Sequence, residues 1–142
     1  LAFGLINQGL SQEEIKQRID IITSQFAFEQ LLYRSSHRLS GGQKRMVAIA
    51  CILIMRPDII LMDEPTSFLD PGSRRQVINI LKDMHKTLII ASHDLDMALD
   101  IADEVILLNE GKVIAQGLTN DILTNQKLLE DNGLELPYRY QR

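Results

Sequence analysis

The run "MVAIACILIM", residues 46–55, constrains this chain more than any other stretch. Apolar residues there cover every face of a helix, so the segment reads as a helix packed on all sides. Directly ahead of it stands "LSGGQ", residues 39–43. Glycines at the mouth of a helix cost conformational entropy unless bare backbone N–H groups are wanted there. Gly41 and Gly42 in that place make an anion site, with free N–H groups at the positive end of the helix dipole. Ser40 adds a hydroxyl and Gln43 an amide. The plainer alternative is a glycine turn leading into a core helix.

The rest of the chain supplies the surroundings such a helix needs. Ser11 and Glu14 in "SQEE" fit a capping box. Ile15, Ile19 and Ile22 recur at helical spacing, giving an amphipathic helix to about residue 25. Arg56-Pro57 ends the apolar helix, because proline clashes with a continued one. "DIILM" (58–62) and "TLIIAS" (87–92) read as buried parallel strands, with a helix carrying Val77, Ile78, Ile80, Leu81 and Met84 between them. "DLDMALDIA" reads as a further helix, and "EVILL", "NEGK", "VIAQG" as a hairpin about a tight turn. Alternating strand and helix implies an α/β fold with a parallel sheet.

Composition bounds the function. The 142 residues carry 15 Lys and Arg against 19 Asp and Glu, a net charge of −4. That balance gives no electrostatic reason to expect nucleic acid as a partner. The apolar run is far short of the ~20 residues that span a bilayer. A single Cys51 excludes an internal disulfide and fits a reducing compartment.

Three further stretches can do chemistry. "LMDEP" places Asp63 and Glu64 at the C-terminal end of a strand, where α/β proteins collect ligands, though such a triplet also occurs as a solvated turn. Asp63 can hold Mg²⁺ through water, and Glu64 can polarise a water for attack on a phosphoryl group. His93, between Ser92 and Asp94 at the next strand end, can hydrogen-bond a terminal phosphate; a histidine taken alone is more often structural. "SFLD" ends in Asp70 before Pro71-Gly72, the pattern of a helix N-cap.

Together, "LSGGQKRMVAIA", "IILMDEP", "SFLD" and "SHD" resemble the signature, Walker B, D-loop and switch histidine of the ABC-type ATPases. "FGLINQGLSQEEIKQRI" is similar to the helical subdomain before the signature, so the likeness spans almost the whole chain. The flanks "HRLSGGQKR" and "SHDLDMALDIADEVILLNEGKVIAQG" and the tail "LLEDNGLELPY" look like cobalt/nickel-type ATP-binding subunits of energy-coupling factor importers. The resemblance implies a P-loop NTPase-like domain, divided as a helical and signature portion (1–56), a RecA-like catalytic portion (57–120) and a C-terminal tail (121–142). It implies that Ser40, Gly41, Gly42 and Gln43 contact the γ-phosphate of ATP held by the opposite subunit. By the same likeness Asp63 serves Mg²⁺, Glu64 is the catalytic base, Asp70 communicates across the dimer and His93 senses the γ-phosphate. Phe68 and Met46 depart from the family pattern, which usually has a smaller or polar residue and an arginine there.

The G-x-x-x-x-G-K-[ST] phosphate loop of this family is absent from the sequence. Gly4 and Gly9 have its glycine spacing, but Leu10-Ser11 follows in place of Lys-Ser/Thr. The domain is therefore expected to be incomplete, a fragment or a chain completed by another polypeptide. Without the Walker A strand, two strands are expected to have unpaired edges. The function expected is ATP hydrolysis coupled to uptake through an integral membrane subunit, at the cytoplasmic face of the membrane. A second cassette would close head to tail, and Phe26 and Phe28 would lie on the surface facing the membrane partner. The alternatives are a soluble ABC ATPase acting on DNA or ribosomes, and a non-hydrolysing remnant that donates its signature face.

Overall fold

The capping box at Ser11 forms. In the computed structural model, which describes residues 1–141, Ser11 Oγ accepts from the Glu14 amide at 3.3 Å. Glu14 Oε2 takes both the Ser11 amide (2.9 Å) and the Ser11 hydroxyl (2.7 Å). That cap starts α2 (Gln12–Gln25), after a short α1 (Ala2–Asn7) and a turn at Gly9, where φ is +75°. Phe26 and Phe28 follow at 2% and 5% exposure, ring centroids 5.6 Å apart. The expectation that they form a docking surface is therefore corrected: burial of two rings makes them part of the core.

α3 (Gly41–Leu53) buries Met46, Ile49 and Ala50 but leaves Ile52 38% exposed. The expectation of packing on every side thus holds for one stripe only. Met46, where the resembled family has an arginine, is a core residue at 6% exposure.

β1 (Ile59–Asp63) and β2 (Thr87–Ala91) pair in parallel, from Ile59 opposite Thr87 to Asp63 opposite Ala91. The crossover is α4 (Pro71–Lys82), which buries Val77, Ile78 and Leu81. Side chains alternate along β1: Ile60 and Met62 are buried, whereas Leu61 is 70% exposed, on the same open face as Ile59 and Ile89. Parallel strands are ordinarily covered on both faces, and this pair is covered on one.

Contacts divide the chain into two compact units, 1–91 and one beginning at Ser92. This division by packing follows a different line from the motif-based one at 56/57 and 120/121. The second unit holds α5 (Leu95–Ile101), β3 (Glu104–Asn109), β4 (Lys112–Leu118), α6 (Thr119–Leu123), α7 (Gln126–Glu130) and a 3₁₀ turn at Tyr138–Tyr140. β3 and β4 form the expected hairpin, closed by Glu110 and Gly111, both at positive φ as two-residue hairpin turns require. The strands form two separate two-stranded sheets, one parallel and one antiparallel, so the α/β class holds with a sheet in two pieces. No helix among the described residues is long and apolar enough to cross a membrane.

In the second unit the tail closes on α5. Burial works against the Asp96 carboxylate, but the Tyr138 amide and the Arg139 guanidinium outweigh it and hold its pKa below the usual aspartate value. The folded value is depressed, so the stabilisation is present above the unfolded pKa and is lost as pH falls through the folded one. Acid titration below about pH 4 is therefore expected to release the tail, seen as loss of hydrogen-exchange protection at the Tyr138 amide. In the first unit, Ile60→Ala should cost about 2–5 kcal/mol in urea denaturation, whereas Leu61→Thr should stay within about 0.5 kcal/mol.

Candidate functional site

β1 delivers its carboxylates to the end of the parallel pair. Asp63 is exposed there, and the Glu64 amide donates to the Ala91 carbonyl at 2.9 Å, carrying the ladder one residue beyond the strand. Glu64 then turns the chain with φ at +47°, a left-handed conformation that costs a non-glycine residue about 1–2 kcal/mol. Three donors hold this turn. The Ser67 amide and the Arg45 guanidinium donate to the Glu64 carbonyl, and Ser67 Oγ donates to Glu64 Oε2 at 2.9 Å. The carboxylate is thus oriented by the Ser67 hydroxyl.

The mouth of α3 has a second capping box, with a different chemistry. Ser40 Oγ accepts from the Gln43 amide at 3.2 Å, and Gln43 Oε1 accepts from the Ser40 amide at 3.0 Å. In the α2 box the carboxylate of Glu14 takes up the serine hydroxyl proton as well. Here the carboxamide leaves both the Ser40 hydroxyl proton and the Gln43 Nε2 hydrogens to donate elsewhere. A neutral glutamine also keeps negative charge away from the helix N-terminus.

Neither glycine is required by the fold itself. Gly41 and Gly42 do not have positive φ. A Cβ on Gly41 would meet nothing within 4 Å, and one on Gly42 would make only ordinary contacts, with Leu69 Cδ2 at 3.6 Å and Asp70 Oδ2 at 3.9 Å. Glycine in place of alanine costs a helix interior about 1 kcal/mol, and no crowding here offsets even part of that.

The residues 40–43, Glu64 and Asp70 lie in one neighbourhood: Arg45 in the same helix bonds the Glu64 carbonyl, and the open side of Gly42 faces Leu69 and Asp70. Asp70 caps α4: Oδ1 accepts from the Gly72 and Ser73 amides, both at 3.0 Å, and Oδ2 from the Ser73 hydroxyl at 2.6 Å. The Ser73 hydroxyl, then its amide, lower the Asp70 pKa. Both oxygens serve the helix, as the N-cap pattern implied. Phe68, at φ +63°, is 99% exposed. His93 is exposed and belongs to the second unit, where the Asp94 amide beside it donates to Ser92 Oγ at 3.1 Å.

Arg45 and Ser67 were not singled out from the sequence. The signal for Arg45 was its place four residues before buried Ile49, on the apolar side of α3, where a cation must find a partner. Among the described residues no group of three or more His, Cys, Asp or Glu is gathered that could hold a metal. A single exposed carboxylate at a strand end fits magnesium, which takes one or two protein carboxylates and fills its shell with water and phosphate oxygens.

Comparison with known proteins defines the class. Residues 4–67 match the family described as ABC transporter. The energy-coupling factor transporter ATP-binding protein EcfA of Carboxydothermus hydrogenoformans is 44% identical over 140 residues, covering 96% of this chain and 52% of that protein. Among solved structures, cbiO1 from Clostridium perfringens, part of the ABC transporter complex cbiONQ, superposes with TM-score 0.75 at 36% identity, over 92% of this chain and 53% of that one. A dimeric ATP-binding cassette in a post-hydrolysis state bound to ADP and Pi gives TM-score 0.69 at 30% identity, over 78% of this chain and 49% of that one. The chain belongs to the ABC-type ATPases. Within them it is similar to the energy-coupling factor ATP-binding proteins, and it spans about half the length of the curated relatives it matches.

The two capping boxes make a matched pair for experiment. Gln43→Glu keeps the α3 cap, so stability in thermal denaturation should hold within about 0.5 kcal/mol of the wild type.

Proposed function

We propose that this chain furnishes the signature face and the water-activating wall of an ATP-hydrolysing subunit in an energy-coupling factor type importer. The observation that carries the reading is the mouth of α3. Two glycines that the fold does not require sit between a serine and a glutamine whose cap leaves their donors directed elsewhere. Bare amides, a hydroxyl and a carboxamide at the positive end of a helix are the donor set for a phosphate.

In this reading Ser40, Gly41, Gly42 and Gln43 bind the γ-phosphate of ATP held by a second cassette, closing head to tail. Asp63 holds Mg²⁺ through water; when bound, the ion neutralises charge on the transferring phosphoryl group. Glu64, oriented by Ser67, accepts a proton from the attacking water at its carboxylate. His93 hydrogen-bonds the γ-phosphate. Since both Asp70 oxygens are engaged by the first turn of α4, its part in communication across the dimer would run through the position of that helix.

The proposed setting is the cytoplasmic face of a membrane, against an integral membrane subunit. The family relation and the similarity to energy-coupling factor ATP-binding proteins support it. Cobalt, nickel or a related cation is the proposed cargo, on the resemblance of the flanks and tail, with its selection assigned to the membrane subunit. With Phe26 and Phe28 in the core, exposed Ile21 and Tyr33 take their place as the contact surface in this part of the chain.

Glu64→Gln in the assembled transporter is expected to retain ATP while turnover falls by about a hundredfold or more, measured as phosphate release alongside nucleotide retention. Unchanged cargo uptake by that variant would refute the assignment.

A further inference from the structure

The C-terminal tail makes a dense set of polar contacts with one short helix. Tyr138 donates its amide to Asp96 Oδ2 at 2.8 Å, and the Arg139 amide donates to Asp96 Oδ1 at 3.4 Å. The Arg139 side chain adds three bonds: Nε to Asp96 Oδ1 (3.1 Å), Nη2 to the Asp96 carbonyl (3.0 Å) and Nη2 to Asp100 Oδ1 (2.9 Å). Asp96 and Asp100 are four residues apart on α5, a spacing at which two carboxylates share a helix face and repel. A planar guanidinium can bridge such a pair and bond a carbonyl at the same time, which an ammonium cannot do with fixed geometry.

The tail is itself well anchored. Leu129 in α7 is fully buried. Gly133 ends that helix at φ +73°, with the Leu134 amide returning to the Leu129 carbonyl at 2.9 Å. Pro137 is fully buried immediately before the gripping residues. Arg139 is therefore held from behind.

The helix it grips is not self-sufficient. α5 has 7 residues, too few to be stable in isolation, so its placement comes from its contacts. On the inside Met97 is buried at 1% exposure; on the outside are Asp96 and Asp100 with Arg139. The C-terminal end of α5 is fixed by its packing against α6 and by Thr119 Oγ1, which donates to the Ala102 carbonyl at 2.7 Å. The Arg139 grip at Asp96 and Asp100 is a second fastening, without which the N-terminal end would be free to rock. Rocking would reach His93 directly. Asp94 Oδ1 accepts from the Met97 amide at 2.9 Å, and the Asp94 amide donates to Ser92 Oγ at 3.1 Å. His93 is thus enclosed in a turn fastened to the helix start.

We propose that Arg139 is a positioning residue for His93: by strapping α5 through Asp96 and Asp100, the tail sets where the imidazole stands. This rests on the reading of His93 as the residue that meets the γ-phosphate. Arg139 touches no reacting group and acts only through the helix.

The test compares Arg139→Met, which keeps the aliphatic stem and loses the fork, with Arg139→Lys and Asp100→Asn, using the 142-residue chain with isotope-labelled histidine. In Arg139→Met the His93 ring cross-peak should shift and broaden, with the peaks of His37 and His85 unmoved. Arg139→Lys should restore the peak in part. In the assembled ATPase, Arg139→Met should lower kcat about tenfold with KM for ATP nearly unchanged, as expected for a misplaced group. A His93 peak that stays in place while the Tyr138 amide loses its exchange protection would overturn the proposal. If Arg139→Met does not fold, Asp100→Asn, which retains the Asp96 contacts, is read by the same criterion. The spectra need no nucleotide, so a wild-type protein without ATPase activity would refute the proposed function and leave the strap to be decided by His93.

Discussion

One guanidinium ties the mouth of α3 to the end of β1. Arg45 lies two residues beyond Gln43 and donates to the carbonyl of Glu64, whose backbone is in a left-handed conformation that needs outside support. The helix that opens with the two glycines and the strand that ends in two carboxylates therefore share a common fastening. A shift of one would be transmitted to the other through this charge-assisted bond. The arrangement has a cost, because the buried Arg45 Nε has no partner among the described residues. An unsatisfied buried donor is a cost that a purely structural tie would have little reason to retain.

Much of this was legible from residue order. Ser11 with Glu14 and Asp70 with Pro71 name their own helices, because capping is local chemistry set within four residues. The hairpin at Glu110-Gly111 was equally readable, since its turn demands positive φ from both residues. Strand edges fell within one residue of expectation for the same reason: β-branched runs bounded by charge leave little choice of register. The order of the four stretches that carry the family resemblance likewise stands in the chain itself.

What escaped was the part that depends on three-dimensional partners. Phe26 and Phe28 are expected on a contact surface as part of the helical subdomain before the signature, yet both rings are buried against each other. The apolar run of α3 reads as buried all round, although Ile52 keeps more than a third of its surface. Ser67 gave no local sign of its bond to the Glu64 carboxylate, and Arg45 gave only the faint sign of a cation on an apolar stripe. Arg139 stands some forty residues along the chain from Asp96 and Asp100, and no periodicity links it to them. The outward apolar row of Ile59, Leu61 and Ile89 follows the same logic: a continuous apolar run reads as a strand buried on both faces, and nothing local says that one face stands open.

The two serine boxes also differ in how they answer to acidity. Ser11 is held by Glu14, whose pKa is lowered chiefly by the Ser11 hydroxyl; once that carboxylate is protonated, the acceptor that fastens α2 is weakened. The box at Ser40 consists of a hydroxyl and a carboxamide, neither of which gains or loses a proton in any compartment of a cell. The donors at the mouth of α3 are thus constant over the whole physiological range, and any response to pH must enter through other side chains.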